Sequence, residues 1–417
     1  MGVLLIHRLG STLPIPGINV TALQSYFLQQ SAQTGLSITD YLDFFSGGAF
    51  TQFSVFMLGI MPYISMTIIM QLLLLVFPKL KKISQEEGGR KRIQRYNRYG
   101  TVVLCLIQGS AVRAYANQIP NAITMGPGLY TVVSLLTVTT GTVFLMWLGE
   151  QINQRGIGNG ISLIIFTGIV ARMPRAIWIL IQAVQDGLNP VFVIVVLGVF
   201  IGVIALVIYE QRGQRKIPVH YAKRVVGRKQ YGAQNTYVPF KINPSGVIPV
   251  IFASSILVFP LQIAQSLGPN VRWLQSFATW LRPGGAPYLI TYTILIVFFA
   301  YFYTQVTLNP MEISKNIREN GGSIPGIRPE KMEEYFTRIL NRIILPGSIF
   351  LAFIAVIPTI LQGLLGFPQE VAFLMGGTSL LIMVGVDLDL MSQIEGSLRM
   401  HHHEGLVKKG RIRSRNL

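Results

Sequence analysis

Five stretches of this chain are apolar, free of charge and long enough to cross a membrane. A transmembrane helix needs about 20 consecutive apolar residues. The five uncharged stretches are residues 53–77, 129–148, 188–209, 246–271 and 288–311. Only 12% of the 417 residues are charged, whereas soluble globular domains have about 25%. The chain is therefore predicted to be an all-α polytopic membrane protein.

The apolar pattern predicts about ten transmembrane helices. The predicted spans are 1–18, 53–77, 99–119, 129–149, 158–183, 188–209, 245–266, 288–308, 340–361 and 371–388. Two sets of five spans must have opposite orientations, because each set crosses the membrane an odd number of times, as in inverted-repeat proteins. We assign residues 1–183 to an N-terminal half and residues 184–417 to a C-terminal half.

Lysine and arginine are concentrated in alternate loops. Of the 35 Lys and Arg residues, 29 lie in loops 78–98, 151–157, 209–243 and 308–342 and in the basic tail 390–417, and 4 lie in the loops between them. Cytoplasmic loops of membrane proteins carry an excess of basic residues. The alternation favours the predicted spans and predicts that both termini are cytoplasmic.

Two of the basic loops are long enough to bind a partner. Loop 209–243 is predicted to form an extended or hairpin-like finger. Its candidate partner-binding residues are Arg212, Arg215, Lys216, Arg224, Arg228 and Lys229. In loop 308–342, Arg328 lies between Pro325 and Pro329, which stiffen the backbone on both sides. This pattern favours a loop that presents Arg328 to a partner.

The sequence carries no common catalytic or metal-binding pattern. It has no Walker-A, HExxH, CxxC or GxSxG motif. We therefore predict no catalytic residue, no metal site and no cofactor. Asp387 and Asp389 are the acids that the predicted spans place at membrane depth, and at the cytoplasmic boundary they are expected to be solvated. A secondary transporter with inverted repeats is the main alternative, and it would need paired acids or a polar site at mid-membrane.

Several long motifs resemble, in the same order, those of the SecY family of protein-translocation channels. They are FFSGGAF at 44–50, GIMPYIS at 59–65, GIGNGIS at 156–162, YEQRGQR at 209–215, GVIPVIFASS at 246–255, PGIRP at 325–329 and FLMGGTSLLI at 373–382. The resemblance covers nearly the whole chain and is to the bacterial or plastid branch. The chain departs from the family pattern at its short N-terminus, at Gln52 and in segment 19–40.

The resemblance implies two inverted five-helix halves around an hourglass pore. By motif position the pore ring is Ile60, Ile64, Ile161, Ile165, Ile251 and Ile382. A plug is expected at about residues 41–51, including Phe45, Ser46, Gly47, Gly48 and Ala49. Helices 2, 3, 7 and 8 would form a lateral gate, with Gln71, Ser254 and Ser255 as its candidate residues. Without the resemblance, the six isoleucines would be interpreted as packing residues.

The family resemblance also implies an external source of energy. Expected partners are SecE-like and SecG-like small membrane subunits, the SecA ATPase, the ribosome, signal peptides and nascent chains, and the lipid bilayer itself. The expected location is the plasma (inner) membrane of a prokaryote, with the thylakoid membrane as the alternative.

Overall fold

The computed structural model describes residues 2–23, 25–26, 43, 46–117, 119–185, 190–221, 224–226, 229–231, 235–267, 272–281, 285–365 and 377–409. Its helices in these ranges are α1 (Gly2–Thr12), α2 (Met61–Val76), α3 (Pro78–Gln85), α4 (Gly89–Ala116), α5 (Pro127–Arg155), α6 (Gly160–Gln185), α7 (Pro190–Arg212), α8 (Ile248–Leu267), α9 (Arg272–Trp280), α10 (Ala286–Thr307), α11 (Pro310–Glu319), α12 (Met332–Leu365) and α13 (Gly377–Lys409).

Ten of the helices in the described ranges lie at the ten predicted span positions, and α3, α9 and α11 are short helices between them. By length and hydropathy alone, five helical segments of the described chain could cross a membrane. A sixth is added if α2 and α3, which are bent by 109°, count as one span. The fold is that of an all-α polytopic membrane protein.

The second predicted span begins later than the sequence indicated. We expected it to start at residue 53, but α2 starts at Met61, with Pro62 in its first turn. The preceding segment forms turns, with positive φ at Phe53 (45°) and Gly59 (57°). It also hydrogen-bonds to the N-terminal segment, where the N–H of Ile15 donates to the carbonyl of Phe53 at 2.8 Å. Apolar composition alone could not distinguish these buried turns from helix.

Other boundaries also differ from the predicted ones. Helix α12 begins at Met332, ahead of the predicted residue 340, because its first turns are amphipathic and pack against the segment 217–240. Helix α13 continues to Lys409, well past the predicted end at 388. Helix α6 passes through Pro174 without ending.

The helices pack as two groups of five. In the first group, α4 packs on α2 and α5, α6 packs on α5, and α1 contacts α5 and α6. In the second, α8 packs on α10, α10 on α12, and α13 on α7 and α12. The groups meet on one side through α8 against α2 and α4, and on the other through α6 against α7 and α13.

The predicted finger in loop 209–243 is a β-hairpin, as expected. Strand β1 (Gln214–Tyr221) pairs antiparallel with β4 (Asn235–Lys241), and the short strands β2 (Arg224–Val226) and β3 (Lys229–Tyr231) pair with each other between them. Strand β5 (Gly322–Ser323), from the other cytoplasmic loop, pairs with β1. The two loops therefore form one sheet.

A separate apolar cluster fixes this sheet to the helices. It includes Ile217, Val219 and Phe240 from the hairpin and Phe336 from α12. The Phe240 and Phe336 rings lie 5.6 Å apart between centroids. We call the hairpin, residues 308–342 and this shared cluster the cytoplasmic platform, after the side on which the basic loops are predicted to lie.

Candidate functional site

The six isoleucines expected to form the pore ring all contribute to the main apolar core of the described residues. Ile60, Ile64, Ile165, Ile251 and Ile382 are buried members, with exposed fractions of 7% or less. Ile161 is half-buried and packs against the same core. The residues come from α2 and the turn before it, from α6, from α8 and from α13. Four separate helices therefore bring these aliphatic side chains to the core, which also holds residues of other helices.

The isoleucines of the first pair lie one turn apart, although Ile60 precedes α2. The carbonyl of Ile60 accepts the N–H of Ile64 at 3.1 Å, which places both side chains on one face. On α6, Ile161 also lies against α5, because its Cγ1 would be 3.6 Å from a Cβ added at Gly149. Part of the Ile161 side chain therefore packs between α5 and α6, and the rest contacts the main apolar core.

The plug residues pack against α6 at a glycine-to-glycine contact. A Cβ added at Gly47 would lie 2.7 Å from the Cα of Gly168, and Gly47 has φ +69°. Ser46 and Ala49 are buried, with exposed fractions of 5% and 0%. Ala49 belongs to the same apolar cluster as the isoleucines. Phe45 lies outside the described residues.

Polar contacts hold the plug in place. The carboxylate of Asp43 pairs with the Arg172 guanidinium of α6 at 3.0 Å. The same carboxylate accepts the N–H of Thr51 at 2.8 Å and its hydroxyl at 3.0 Å. From α1, Arg8 Nη1 donates to the carbonyl of Gly47 at 2.9 Å.

The expected gate residues lie where α8 meets α2. Ser254 and Ser255 are buried, and each hydroxyl donates to the carbonyl of Ile251 at 2.8 Å. Ser255 Oγ is also 3.9 Å from Met61 Sδ, across the α8–α2 contact. Gln71 is half-buried on α2, and its Oε1 has no hydrogen-bond partner among the described residues.

Several of the expected partner-binding cations are exposed on the cytoplasmic platform. Arg212, Arg215 and Lys216 are exposed at the base of the hairpin. Arg328 is exposed before a 3₁₀ turn, Pro329–Lys331, and its carbonyl accepts the N–H of Lys331 at 2.9 Å. Arg224 and Lys229 lie in β2 and β3, and Arg228 falls outside the described residues.

The sequence analysis missed the buried acids. It placed only Asp387 and Asp389 at membrane depth, and both are exposed, as expected for solvated carboxylates. Asp43 and Glu210, by contrast, are 3% and 5% exposed. For Asp43, the opposite charge at Arg172 in an apolar helix was the available signal, because isolated charges in membrane segments are usually paired.

A cavity of about 780 Å³ opens where the start of α6, the end of α7 and the middle of α13 face the sheet. It is lined by polar residues, including Ser162, Gln211, Lys216, Asn243, Asp389 and Glu395, and by apolar residues such as Val247, Ile248 and Leu388. These apolar residues also pack against the main apolar core, so the cavity borders that core.

The comparison with family models and the comparison with individual proteins both match this chain to the same family. The SecY family model matches residues 54–391. The chain is 49% identical over 400 residues to the protein translocase subunit SecY of Borreliella burgdorferi, covering 95% of this chain and 91% of that one. It is 41% identical over 421 residues to the corresponding subunit of Escherichia coli K12, covering 99% and 93%.

Solved structures share the fold. A structure described as that of a protein conducting channel superposes with a TM-score of 0.67 at 21% identity, covering 94% of this chain and 89% of that one. Sec61 in the canine ribosome-channel complex gives a TM-score of 0.62 at 20% identity, with the same coverage. From the family match and from identities of 49% and 41% with bacterial relatives over nearly the whole chain, the chain belongs to the SecY family.

Proposed function

We propose that this chain is a protein-conducting channel, which passes unfolded secretory polypeptides across the membrane and releases transmembrane segments into lipid. The observation that carries the proposal is one buried core that holds aliphatic side chains of α2, α6, α8 and α13 together with Ala49 of the expected plug, which packs on α6 at Gly47. Family membership and the relatives named as translocase subunits support it. On this proposal the protein is not an enzyme.

An apolar constriction suits the passage of varied polypeptides. It blocks ions by dewetting and offers an extended chain no specific group to bind. Ile60, Ile64, Ile161, Ile165, Ile251 and Ile382 are the side chains we propose for the ring. The neighbouring plug, at about residues 41–51, would seal the pore at rest, and the cavity that faces the sheet would receive the incoming polypeptide.

We propose that the lateral gate is the contact of α8 with α2 and α4, which joins the two groups of helices on one side. Among the described residues, the Ser255 hydroxyl lies across this contact at 3.9 Å from the Met61 sulfur, which is a weak hydrogen bond. A segment exposed there to lipid gains roughly 0.3–0.6 kcal/mol per central Leu or Ile and loses roughly 2.5–3.5 kcal/mol per central charge. The unpartnered Gln71 Oε1 would accept a hydrogen bond from a signal peptide entering the gate.

The chain needs a partner to supply energy, and the cytoplasmic platform is the surface we propose for it. Its exposed cations suit the acidic groups of an ATPase of the SecA type and the phosphates of ribosomal RNA. The structural relatives include channels solved in complex with ribosomes. Small SecE-like and SecG-like subunits would complete the membrane complex.

The proposed location is the plasma membrane of a bacterium, since the sequence relatives compared above are bacterial. Both termini would face the cytoplasm, on the side of the basic loops. The proposed division into halves at about residue 183 is supported by the two groups of helices and would let the halves move apart at the gate.

A reconstitution experiment tests the proposed function. The chain would be purified with SecE-like and SecG-like subunits of its own organism, placed in proteoliposomes and supplied with SecA, ATP and an unfolded secretory precursor. We expect precursor to become protected from external protease only when ATP and SecA are present. Protection equal to that of empty liposomes, with the complex intact, would reject the channel function.

A further inference from the structure

A buried ion pair joins the plug to α6, and we propose that Asp43 and Arg172 form the latch that sets how readily the channel opens. The inference rests on the proposed channel function and adds the residues that hold the plug. The two side chains are 4% and 16% exposed, with Arg172 Nη1 3.0 Å from Asp43 Oδ2. Charges at this depth are found paired, because an isolated charge in an apolar surrounding is costly.

The two oxygens of the Asp43 carboxylate have different roles. Oδ1 accepts two hydrogen bonds from Thr51, one from its N–H and one from its hydroxyl. The Asp43 carbonyl accepts the N–H of Gly48 at 3.0 Å and the Ser46 hydroxyl at 3.1 Å. These bonds close the plug turn on itself. Oδ2 is then the oxygen that ties the turn to α6.

Because the plug turn is closed internally, Arg172 can be altered without removing any of the hydrogen bonds within it. Among the described residues, the bond from Arg8 of α1 to the Gly47 carbonyl also ties the plug to a helix. A hydrogen bond from a cation to a neutral carbonyl is weaker than one in which both partners are charged. The ion pair is therefore the strongest polar contact between the plug and the described helices.

Displacement of the plug separates the two charges. Arg172 then loses its partner while still held in α6, and Asp43 leaves with the plug. The free-energy cost of separating the two charges favours the closed state, and an entering polypeptide must overcome it. Removal of either charge lowers this cost and makes the resting channel open more often.

The test measures resting ion conductance of the reconstituted complex in planar bilayers. Arg172→Gln is expected to raise resting conductance roughly tenfold or more, since breaking a buried pair is strongly unfavourable to the state that contained it. Arg172→Lys keeps the charge and should restore most of the seal. Thr51→Val removes one hydroxyl bond to the same carboxylate without touching the ion pair, and should leak far less than Arg172→Gln.

A double-mutant cycle shows whether the two residues act together. The variant Asp43→Asn with Arg172→Gln should leak no more than the leakier single variant, because both changes remove one interaction. The conductance of a single open channel should be unchanged in Arg172→Gln, which excludes general unfolding. Additive effects, or an Arg172→Gln channel as tight as the wild type, would overturn the latch.

Deletion of residues 43–51 separates failure of the latch from failure of the channel function. If deletion of the plug raises the resting conductance above that of the wild type and Arg172→Gln does not, the latch is wrong and the channel function stands. If the channel without a plug does not conduct either, the proposed function fails, and the latch with it.

Discussion

Gly47 brings the plug into backbone contact with α6. Gly47 and Gly48 both have positive φ, +69° and +93°, so either becomes strained when replaced by alanine, by about 1–2 kcal/mol. Only at position 47 would the new Cβ also meet the Gly168 backbone, at 2.7 Å. A Cβ added at Gly48 meets nothing within 4 Å. Comparison of Gly47→Ala with Gly48→Ala therefore separates the effect of backbone strain from the effect of the contact with α6.

We predict that Gly47→Ala unseats the plug and that Gly48→Ala does so much less. An additional clash of ~1.4 kcal/mol would raise the open fraction about tenfold. Resting conductance of the two variants, compared at equal protein in the bilayer, checks this. If both leak equally, backbone strain and not the contact with α6 would explain the effect.

The second prediction about single residues concerns the six isoleucines proposed for the pore ring. Ile251→Asn and Ile382→Asn should raise resting conductance, because a polar side chain hydrates the constriction and stabilises the open state. They should also relax the requirement for a strongly hydrophobic signal sequence. The measurements are planar-bilayer conductance and translocation of precursors with weakened signals.

Exposed isoleucines on ring-bearing helices provide the control. Ile69 on α2 and Ile177 on α6 are 40% and 57% exposed. Ile164 is unsuitable, because it is 3% exposed and lies against Gly149. Asn costs insertion energy in any membrane helix, so protein amounts must be matched. Equal leak from Ile251→Asn and Ile69→Asn would mean that the six residues only pack.

At the scale of elements, the cytoplasmic platform presents Arg328 on a fixed turn. The Ile327 N–H bonds to the Ile324 carbonyl at 3.1 Å, Gly326 has φ +76°, and β5 is paired to the hairpin just upstream. The side chain is exposed and makes no ion pair with the acids that the structure describes. A fixed, unpaired cation is well placed to bind a partner.

We predict that Arg328→Glu abolishes partner-driven translocation and leaves the folded channel and its resting conductance unchanged. Lys315→Glu is the matched control, since Lys315 is an exposed cation of the same loop that lies 3.8 Å from Glu319. ATP-dependent translocation into proteoliposomes checks the prediction. Normal translocation by Arg328→Glu, or an equal loss from Lys315→Glu, would contradict a specific contact.

The sequence predicted elements better than the contacts between them. Hydropathy located the ten helices, and the Tyr, Val and Gln content of loop 209–243 indicated an extended or hairpin-like finger. The pairing of β5 with β1 could not be read in this way, because it joins residues about 100 positions apart through only two residues of β5. For the same reason the Asp43–Arg172 pair was missed, since each charge looked isolated in its own segment.

At the scale of the whole molecule, the two groups of helices meet differently on their two sides. On one side, α8 contacts α2 and α4, and the Ser255 hydroxyl lies 3.9 Å from the Met61 sulfur. On the other side, α6 contacts α7 and α13, and the Gly158 N–H donates to Gln393 Oε1 of α13 at 2.8 Å. On the proposed channel function, we expect the α8 side to open and the α6 side to act as the hinge.

The charge distribution makes a final prediction about how the whole molecule lies in the membrane. If the loops that hold 29 of the 35 cations are cytoplasmic, the hairpin and α9 must lie on opposite sides. Tyr237 in β4 and Trp273 in α9 are 61% and 71% exposed, so cysteines there would be reachable. A membrane-impermeant maleimide should label Tyr237→Cys only in inverted vesicles and Trp273→Cys only in right-side-out vesicles. Cys105 is buried and provides the unlabelled background. Labelling of both variants from one side would invalidate the topology, and with it the placement of the platform toward a cytoplasmic partner.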